Sequence, residues 1–213
     1  MNKDNEKNVI DLDESELAEL NDAKSEKPVG FVKSIYEWVD SFVISFIVVV
    51  IIFTMFFGKV KVNGDSMKET LHNDDQLIIT DFMYKPERGD IVIISRSPDN
   101  VVVKDPRTED QPIVKRVIAI EDDTIQITED GKVLLNDKEL DEPYIKDYAE
   151  NLGTPQRDMT VKLEVPKGRI FVMGDNRHDS HDSRYVDIWL VDTRYVLGKV
   201  LCRIYPFDQL DTF

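Results

Sequence analysis

The hydrophobic positions of this chain fall into two regimes. From Trp38 to Phe57 the sequence reads WVDSFVISFIVVVIIFTMFF, apolar on every side of a helix and free of charge from Phe42 onward. About twenty residues at 1.5 Å each cover the ~30 Å hydrocarbon core of a bilayer, so the pattern predicts a transmembrane helix over 38–58. Tyr36 and Trp38 stand where an interfacial aromatic belt would lie. A buried core helix and a cleavable signal peptide are the alternatives. All-round apolarity argues against the first. The following FFGKVKVNG, which has no small-x-small site, argues against the second.

Beyond the span the apolar residues come in short runs rich in Val and Ile. QLIIT (76–80), DIVIIS (90–95), VVVK (101–104) and IVKRVIAI (113–120) are strand candidates, separated by Pro86, Gly89, Pro98, Asp99, Asn100 and Pro106. TIQITEDGKVLL (124–135) predicts a hairpin with a tight primed turn at Asp130-Gly131. VKLEVPKGRIFVMGDN (161–176) adds two strands around Pro166-Lys167-Gly168, and VLGKVLCRIYPF (196–207) closes the chain. Runs of helical period are scarce here, so a mainly β domain is expected after the anchor.

Composition narrows the function classes. The chain has 213 residues and a net charge of −15, which excludes the basic footprint that nucleic acid requires and gives no attraction to anionic lipid headgroups. Cys202 is the only cysteine, so neither an internal disulfide nor a cysteine-built zinc site can form. Residues 1–37 are polar and acidic and predict a disordered tail, although Leu12, Leu17 and Leu20 could line one side of a short helix. Three lysines precede the span (Lys24, Lys27, Lys33) and three follow it (Lys59, Lys61, Lys68), so charge alone leaves its orientation open.

Three segments carry candidate chemistry. Gly64-Asp65-Ser66-Met67-Lys68 offers Ser66 as a nucleophile. It lacks the second glycine of a Gly-x-Ser-x-Gly elbow, and Glu69 stands where Ser-x-x-Lys needs lysine. Lys115 lies among aliphatic residues in a predicted strand, on the face of Ile113 and Val117, with Arg116 on the face of Val114 and Ile118. Burial would disfavour its ammonium and free the amine to take a serine's proton; the alternative is a stem on apolar surface with its head in water. Met173–Arg184 is dense in turn formers and ionisable groups and otherwise reads as a solvated loop. His178 and His181, with Asp179 and Asp182, could hold a metal, but no further histidine or cysteine nearby completes the set. A serine–histidine–aspartate triad using His72, His178 or His181 stays open, because triads are spatial.

Together these segments resemble the type I signal peptidases, membrane-bound serine–lysine dyad endopeptidases, especially the compact Gram-positive forms. Four stretches follow the family's order: Val62-Asn63-Gly64-Asp65-Ser66-Met67 with Thr70-Leu71 and Asp75; Tyr84, Pro86 and Arg88-Gly89-Asp90-Ile91-Val92; Lys115-Arg116-Val117-Ile118; and Gly174-Asp175-Asn176-Arg177, Ser180, Asp182-Ser183-Arg184. The resemblance implies a β-sheet catalytic domain at 59–213 with a small non-catalytic β cap at about 123–165. It implies removal of signal peptides from exported preproteins, with Ser66 as nucleophile and Lys115 as general base. Ser180 would orient the lysine, Asp182 and Arg184 would shape the site, and Asp175 would pair with Arg116. The Ser66 backbone N–H would serve the oxyanion, since Gly64 lacks the side-chain hydroxyl that some relatives carry there. Met67, apolar and next to Ser66, could itself line the substrate pocket or face lipid, with ordinary core packing as the alternative. No metal or other cofactor is implied. The partners would be preproteins and membrane lipid, with the tail cytoplasmic and the domain extracytoplasmic. The sequence departs from the family pattern at Glu69, usually proline, and at Asp74, Ala119, Asp122 and Asp187, usually glycine. Aspartate tolerates left-handed backbone, so Asp74 and Asp122 are expected to keep their turns. Glu69, Ala119 and Asp187 motivate an alternative, an inactive tethered relative that binds surface proteins, beside a narrowly specialised one that processes a few surface or pilus proteins.

Overall fold

The computed structural model describes residues 29–68, 70–95, 111–145 and 159–213. The tail up to residue 28, the run 101–104 and Glu69 lie outside them. Two compact units are present, divided between Phe53 and Thr54.

The first unit contains most of helix α1, Val29–Phe56. It begins at Val29 rather than Trp38, because nothing between them breaks a helix. Its stretch Lys33–Phe56 is 24 residues long and apolar enough to cross a membrane.

The second unit is built of short strands: β1 (Phe57–Lys61), β2 (Gln76–Thr80), β3 (Ile91–Ile94), β4 (Ile113–Ala119), β5 (Thr124–Ile127), β6 (Val133–Leu135), β7 (Lys138–Glu139), β8 (Leu163–Glu164), β9 (Arg169–Met173), β10 (Val191–Asp192), β11 (Val196–Tyr205) and β12 (Asp211–Thr212). Eight of them form one antiparallel sheet in the order β1-β2-β11-β3-β4-β9-β10, with β12 on β11. The rest make a four-stranded sheet, β7-β6-β5-β8. The fold is mainly β, as expected. β1, β7, β10 and β12 carried no sequence signal, being short or polar.

Alternation sorts the core into three clusters. On β3, Ile91 and Ile93 face one way, with Val62, Met67, Leu71, Leu77, Val114 and Val200. Val92 and Ile94 face the other, with Val117, Ile170, Val172 and Val191. A third cluster lies between the sheets, where Ile118, Ala119, Phe171 and Met173 meet Ile125, Ile127, Val133, Met159 and Val165. Arg116 shares the face of Val114 and Ile118, so it sits between the first and third clusters.

One register detail governs the site. β4 pairs with β3 from Ile113↔Ile94 to Arg116↔Ile91. Its pairing with β9 begins only at Arg116↔Met173. Among the described residues the β9 ladder thus stops at Arg116, while the β3 ladder runs on to Ile113.

The turns refine the sequence reading. The β5–β6 hairpin is not closed by a two-residue primed turn. Only Gly131 has positive φ, +81°, and Thr128 N–H donates to the Lys132 carbonyl while Gly131 N–H donates to the Thr128 carbonyl. This is the longer loop ending in a left-handed glycine. The primed two-residue turn joins β6 to β7 instead, with φ of +52° at Asn136 and +66° at Asp137. Asp74 and Asp122 have φ of +73° and +67°, so aspartate does hold the left-handed conformation at both. Ala119 lies in β4, buried in the third cluster, where no positive φ is required.

Asp122→Gly is accordingly expected to leave stability unchanged or slightly raised. Asp122→Val should cost about 1–2 kcal/mol, read from urea unfolding. Equal midpoints for the two variants would contradict the backbone assignment.

Candidate active site

The segment carrying Ser66 is a closed loop. Val62 N–H donates to the Asp75 carbonyl at 2.8 Å and Asp74 N–H to the Val62 carbonyl at 3.0 Å, so residues 63–73 bulge from one base. Within it the chain coils: Lys68 N–H bonds the Asp65 carbonyl, and Thr70 and Leu71 N–H both bond that of Met67. Met67 and Leu71, four apart, plug the first core cluster and fix the coil's rotation. Ser66, immediately before the first of these anchors, stays partly exposed. Gly64 starts the coil at φ +97°, with its N–H on Asn73 Oδ1 at 3.0 Å. Space around a Cβ there is open, so the backbone conformation is what favours glycine. At the far end Arg203 Nη1 donates to both Asp75 Oδ2 and the Thr70 carbonyl, each at 3.0 Å.

Lys115 projects from β4 one residue before its pairing with β9 begins. It is 3% exposed. Its Nζ lies 2.7 Å from Ser66 Oγ and donates to the Val114 carbonyl at 2.9 Å. Burial takes the lysine out of the solvated-head alternative.

The polar loop after β9 is not a solvated one. Gly174, Asp175, Arg177, Ser180, Asp182, Ser183 and Arg184 are all buried. Its charged groups pair with one another and with the loop backbone. Asp182 accepts from Gly174 N–H at 3.0 Å and from Arg184 Nε and Nη2 at 2.8 and 2.9 Å. Burial alone would raise the Asp182 carboxyl, but the Arg184 guanidinium and the Gly174 N–H outweigh it and hold it below the usual carboxylate range. Arg184 also donates to the Ser180 carbonyl. The loop meets the nucleophile segment directly: Asn176 N–H donates to the Ser66 carbonyl and its Nδ2 to that of Asp65, both at 3.0 Å. A Cβ on Gly174 would lie 2.3 Å from both the Ser66 carbonyl oxygen and Ser180 Oγ, so only glycine permits this approach.

Asp175 joins the three segments. It takes Arg116 in a two-point bond, Nε to Oδ1 at 2.8 Å and Nη2 to Oδ2 at 2.6 Å, and accepts from Thr70 Oγ1 at 2.5 Å. Its N–H points at Met67 Sδ, 3.4 Å away. The anticipated Arg116–Asp175 pair is thus present.

Met67 is 1% exposed and packs in the first core cluster, so it offers no open surface to a substrate pocket. Ser180 Oγ is buried beside Gly174, and no hydrogen bond from it to Lys115 is seen among the described residues. The Ser180 carbonyl accepts from Arg184, which is paired with Asp182.

The histidines stand apart from Ser66. His181 Nε2 contacts Asp187 Oδ2 at 2.6 Å and its ring stacks on Tyr185, while His72 and His178 are exposed. The side-chain partner of Ser66 is Lys115, which disfavours a histidine triad. Among the described residues no group of three or more His, Cys, Asp or Glu is arranged to hold a metal ion.

Sequence reading assigned no role to Thr70, Asn176 or Arg203, and passed over Glu142 and Tyr144. Each acts through a contact far away in the chain, for which spacing gives no signal.

With this geometry in view, the similarities of the chain are specific. The family model described as signal peptidase, peptidase S26, matches residues 35–205. Signal peptidase I of Bacillus licheniformis is 33% identical over 195 residues, covering 87% of this chain and 96% of the relative. Signal peptidase I S of Bacillus subtilis (strain 168) is 32% identical over 185 residues, covering 84% and 93%. Signal peptidase IB of Staphylococcus aureus (strain COL) is 29% identical over 194 residues, covering 83% and 93%. A crystal structure of a signal peptidase I from Enterococcus faecalis V583 covers 55% of this chain and 97% of its own, at 28% identity and a TM-score of 0.40.

The Asp182 carboxyl has a lower folded than unfolded value, so its stabilisation is full above pH about 4 and is lost as pH falls through the folded value. Asp182→Asn should destabilise by about 3–5 kcal/mol at neutral pH, since Arg184 is left buried without its partner. In chemical unfolding the gap from wild type should narrow steadily between pH about 5 and 2. A constant gap would contradict the ionised pair.

Proposed function

The chain belongs to the signal peptidase family, peptidase S26, and is a serine endopeptidase; from that premise we propose that it is membrane-anchored and removes signal peptides from exported preproteins with a Ser66–Lys115 dyad. The observation that carries this reading is the 2.7 Å contact between Lys115 Nζ and Ser66 Oγ, with the lysine buried.

Burial makes an ammonium costly and favours the neutral amine that base catalysis needs. Ser66 Oγ attacks the scissile carbonyl while its proton passes to Lys115 Nζ. The resulting ammonium returns a proton to the leaving amine as the peptide C–N bond breaks, leaving an ester on Ser66. Water then attacks the ester, gives its proton to Lys115, and the acid product departs as Ser66 recovers its hydrogen.

The developing oxyanion needs donors already in place. The Ser66 N–H has no acceptor among the described residues, and it is the donor we assign. Gly64 contributes no hydroxyl. Asp182, Arg184, Asp175 and Arg116 keep the loop, the coil and β4 in register, and Ser180 packs against Gly174 beside the dyad.

The substrate is read as an extended strand. Among the described residues the β9 ladder stops at Arg116, one residue from Lys115, and added-strand recognition is the mode that suits an extended peptide. Family likeness supports small residues, such as alanine, at the first and third positions before the cut. α1 serves as the anchor, with the preceding tail in the cytoplasm and the domain after residue 58 outside. The second sheet, within 123–165, is read as a cap: it contains neither Ser66 nor Lys115.

The test is cleavage of a model preprotein by the full-length protein in detergent. Ser66→Ala should abolish cutting, and Lys115→Met should lower kcat on the order of 10²–10⁴-fold. A triple histidine replacement should keep most activity. Wild-type rates in both dyad variants would refute the proposal.

A further inference from the structure

The peptide unit that joins Asp65 to Ser66 carries the N–H assigned above to the oxyanion. A peptide unit is planar and rigid, so whatever holds its carbonyl also sets the direction of its N–H. Two donors hold the Asp65 carbonyl. Lys68 N–H closes the coil onto it at 3.0 Å, and Asn176 Nδ2 reaches it from the loop after β9, also at 3.0 Å. The next peptide unit is held by the same residue, since Asn176 N–H donates to the Ser66 carbonyl at 3.0 Å. One asparagine thus clips the backbone on both sides of the Ser66 Cα, the side chain before it and the main chain after it.

Asn176 is fixed in turn. Its carbonyl accepts from Asp179 N–H at 3.2 Å, and its Oδ1 faces the same N–H at 3.4 Å. Next to it, Asp175 is tied to Arg116 and to Thr70. A carbonyl oxygen can only accept, so the end of the side chain that meets Asp65 is the amide nitrogen. Carbonyl and N–H of one peptide unit are also coupled electronically. A bond donated to the carbonyl polarises the unit and strengthens its N–H as a donor. That matters more here because Gly64 brings no hydroxyl to share the oxyanion's charge.

We propose that Asn176 is a positioning residue for the oxyanion donor: its side-chain amide, bonded to the Asp65 carbonyl, aims and polarises the Ser66 N–H. As Ser66 Oγ bonds the scissile carbon and its proton passes to Lys115 Nζ, the carbonyl π pair moves onto oxygen, where this N–H receives it. The inference rests on the serine–lysine reading. Asn176 acts through the backbone of Ser66 and not on the substrate.

The side-chain clip can be removed while the main-chain one stays. Asn176→Ala deletes the amide; Asn176→Asp keeps its shape and puts an acceptor where the donor was. Full-length variants in detergent are assayed for kcat and KM on a fluorogenic peptide with alanine at the first and third positions before the cut. Thermal midpoints are measured, as is inhibition by an aldehyde of the same acyl-side sequence, whose hemiacetal on Ser66 carries an oxygen where the oxyanion would stand. Both variants should lose roughly tenfold or more in kcat with KM within about twofold, and should bind the aldehyde more weakly by a similar factor. Their midpoints should stay within a few degrees of wild type. Wild-type kcat in Asn176→Ala, a change in KM alone, a kcat loss with unchanged aldehyde affinity, or a loss that merely follows the fraction folded would each overturn the assignment. Ser66→Ala and Lys115→Met are run alongside: if both cut like wild type, the dyad itself has failed, whereas inactive dyad variants beside a fully active Asn176→Ala sink only the clip.

Discussion

A lysine amine sealed from water, 2.7 Å from a serine hydroxyl, is the constraint to which the rest of the domain answers. A buried lysine loses hydration, and several hydrogen-bonding choices follow. The Val114 carbonyl accepts from Nζ, and aliphatic side chains of two core clusters flank β4. The nucleophile must reach this amine from a separate coil, and the coil is plugged into the core by Met67 and Leu71. Precision is obtained by packing on one side and charge-assisted bonding on the other.

Asp175 is where these requirements meet. One carboxylate holds the guanidinium next to the lysine and the hydroxyl of Thr70 in the nucleophile coil, while its own loop backbone touches Ser66. Buried carboxylates and guanidiniums are costly unless every oxygen and N–H is used. Asp175 with Arg116, Asp182 with Arg184, Glu142 with Arg177 and Asp75 with Arg203 meet that demand as pairs around a small site. Much of the acidic charge nonetheless remains on the surface, where it has no part in the chemistry.

The residues proposed to bear the chemistry could be picked out because they sit in short segments whose order in the chain matches a family pattern. The β character was legible where runs of Val and Ile alternate with turn residues, as at 76–80 and 113–119. β1 and β10 were not, because their pairing is imposed by neighbours. Ser180 shows the limit at a single atom: motif matching names the residue, while the direction of its hydroxyl depends on Gly174 and on a network closed by Arg184. Met67 shows another limit, since a residue beside a nucleophile can equally serve the core. Asn176 was visible as part of a motif, but its contact was not. Its side-chain partner, the Asp65 carbonyl, lies 111 residues away, and nothing in a one-dimensional pattern marks which carbonyl meets a donor.

The central claim is that Ser66 forms the ester and Lys115 moves its proton. The most direct measurement is mass spectrometry of the protein after brief reaction with a slowly hydrolysed acyl ester, with peptide mapping of the modified residue and the acylation rate followed over time. The account predicts an acyl group on Ser66 alone, formed on the order of 10²–10⁴ times more slowly in Lys115→Met. An acyl group on any other residue, or acylation of Ser66 at an unchanged rate without Lys115, would contradict it.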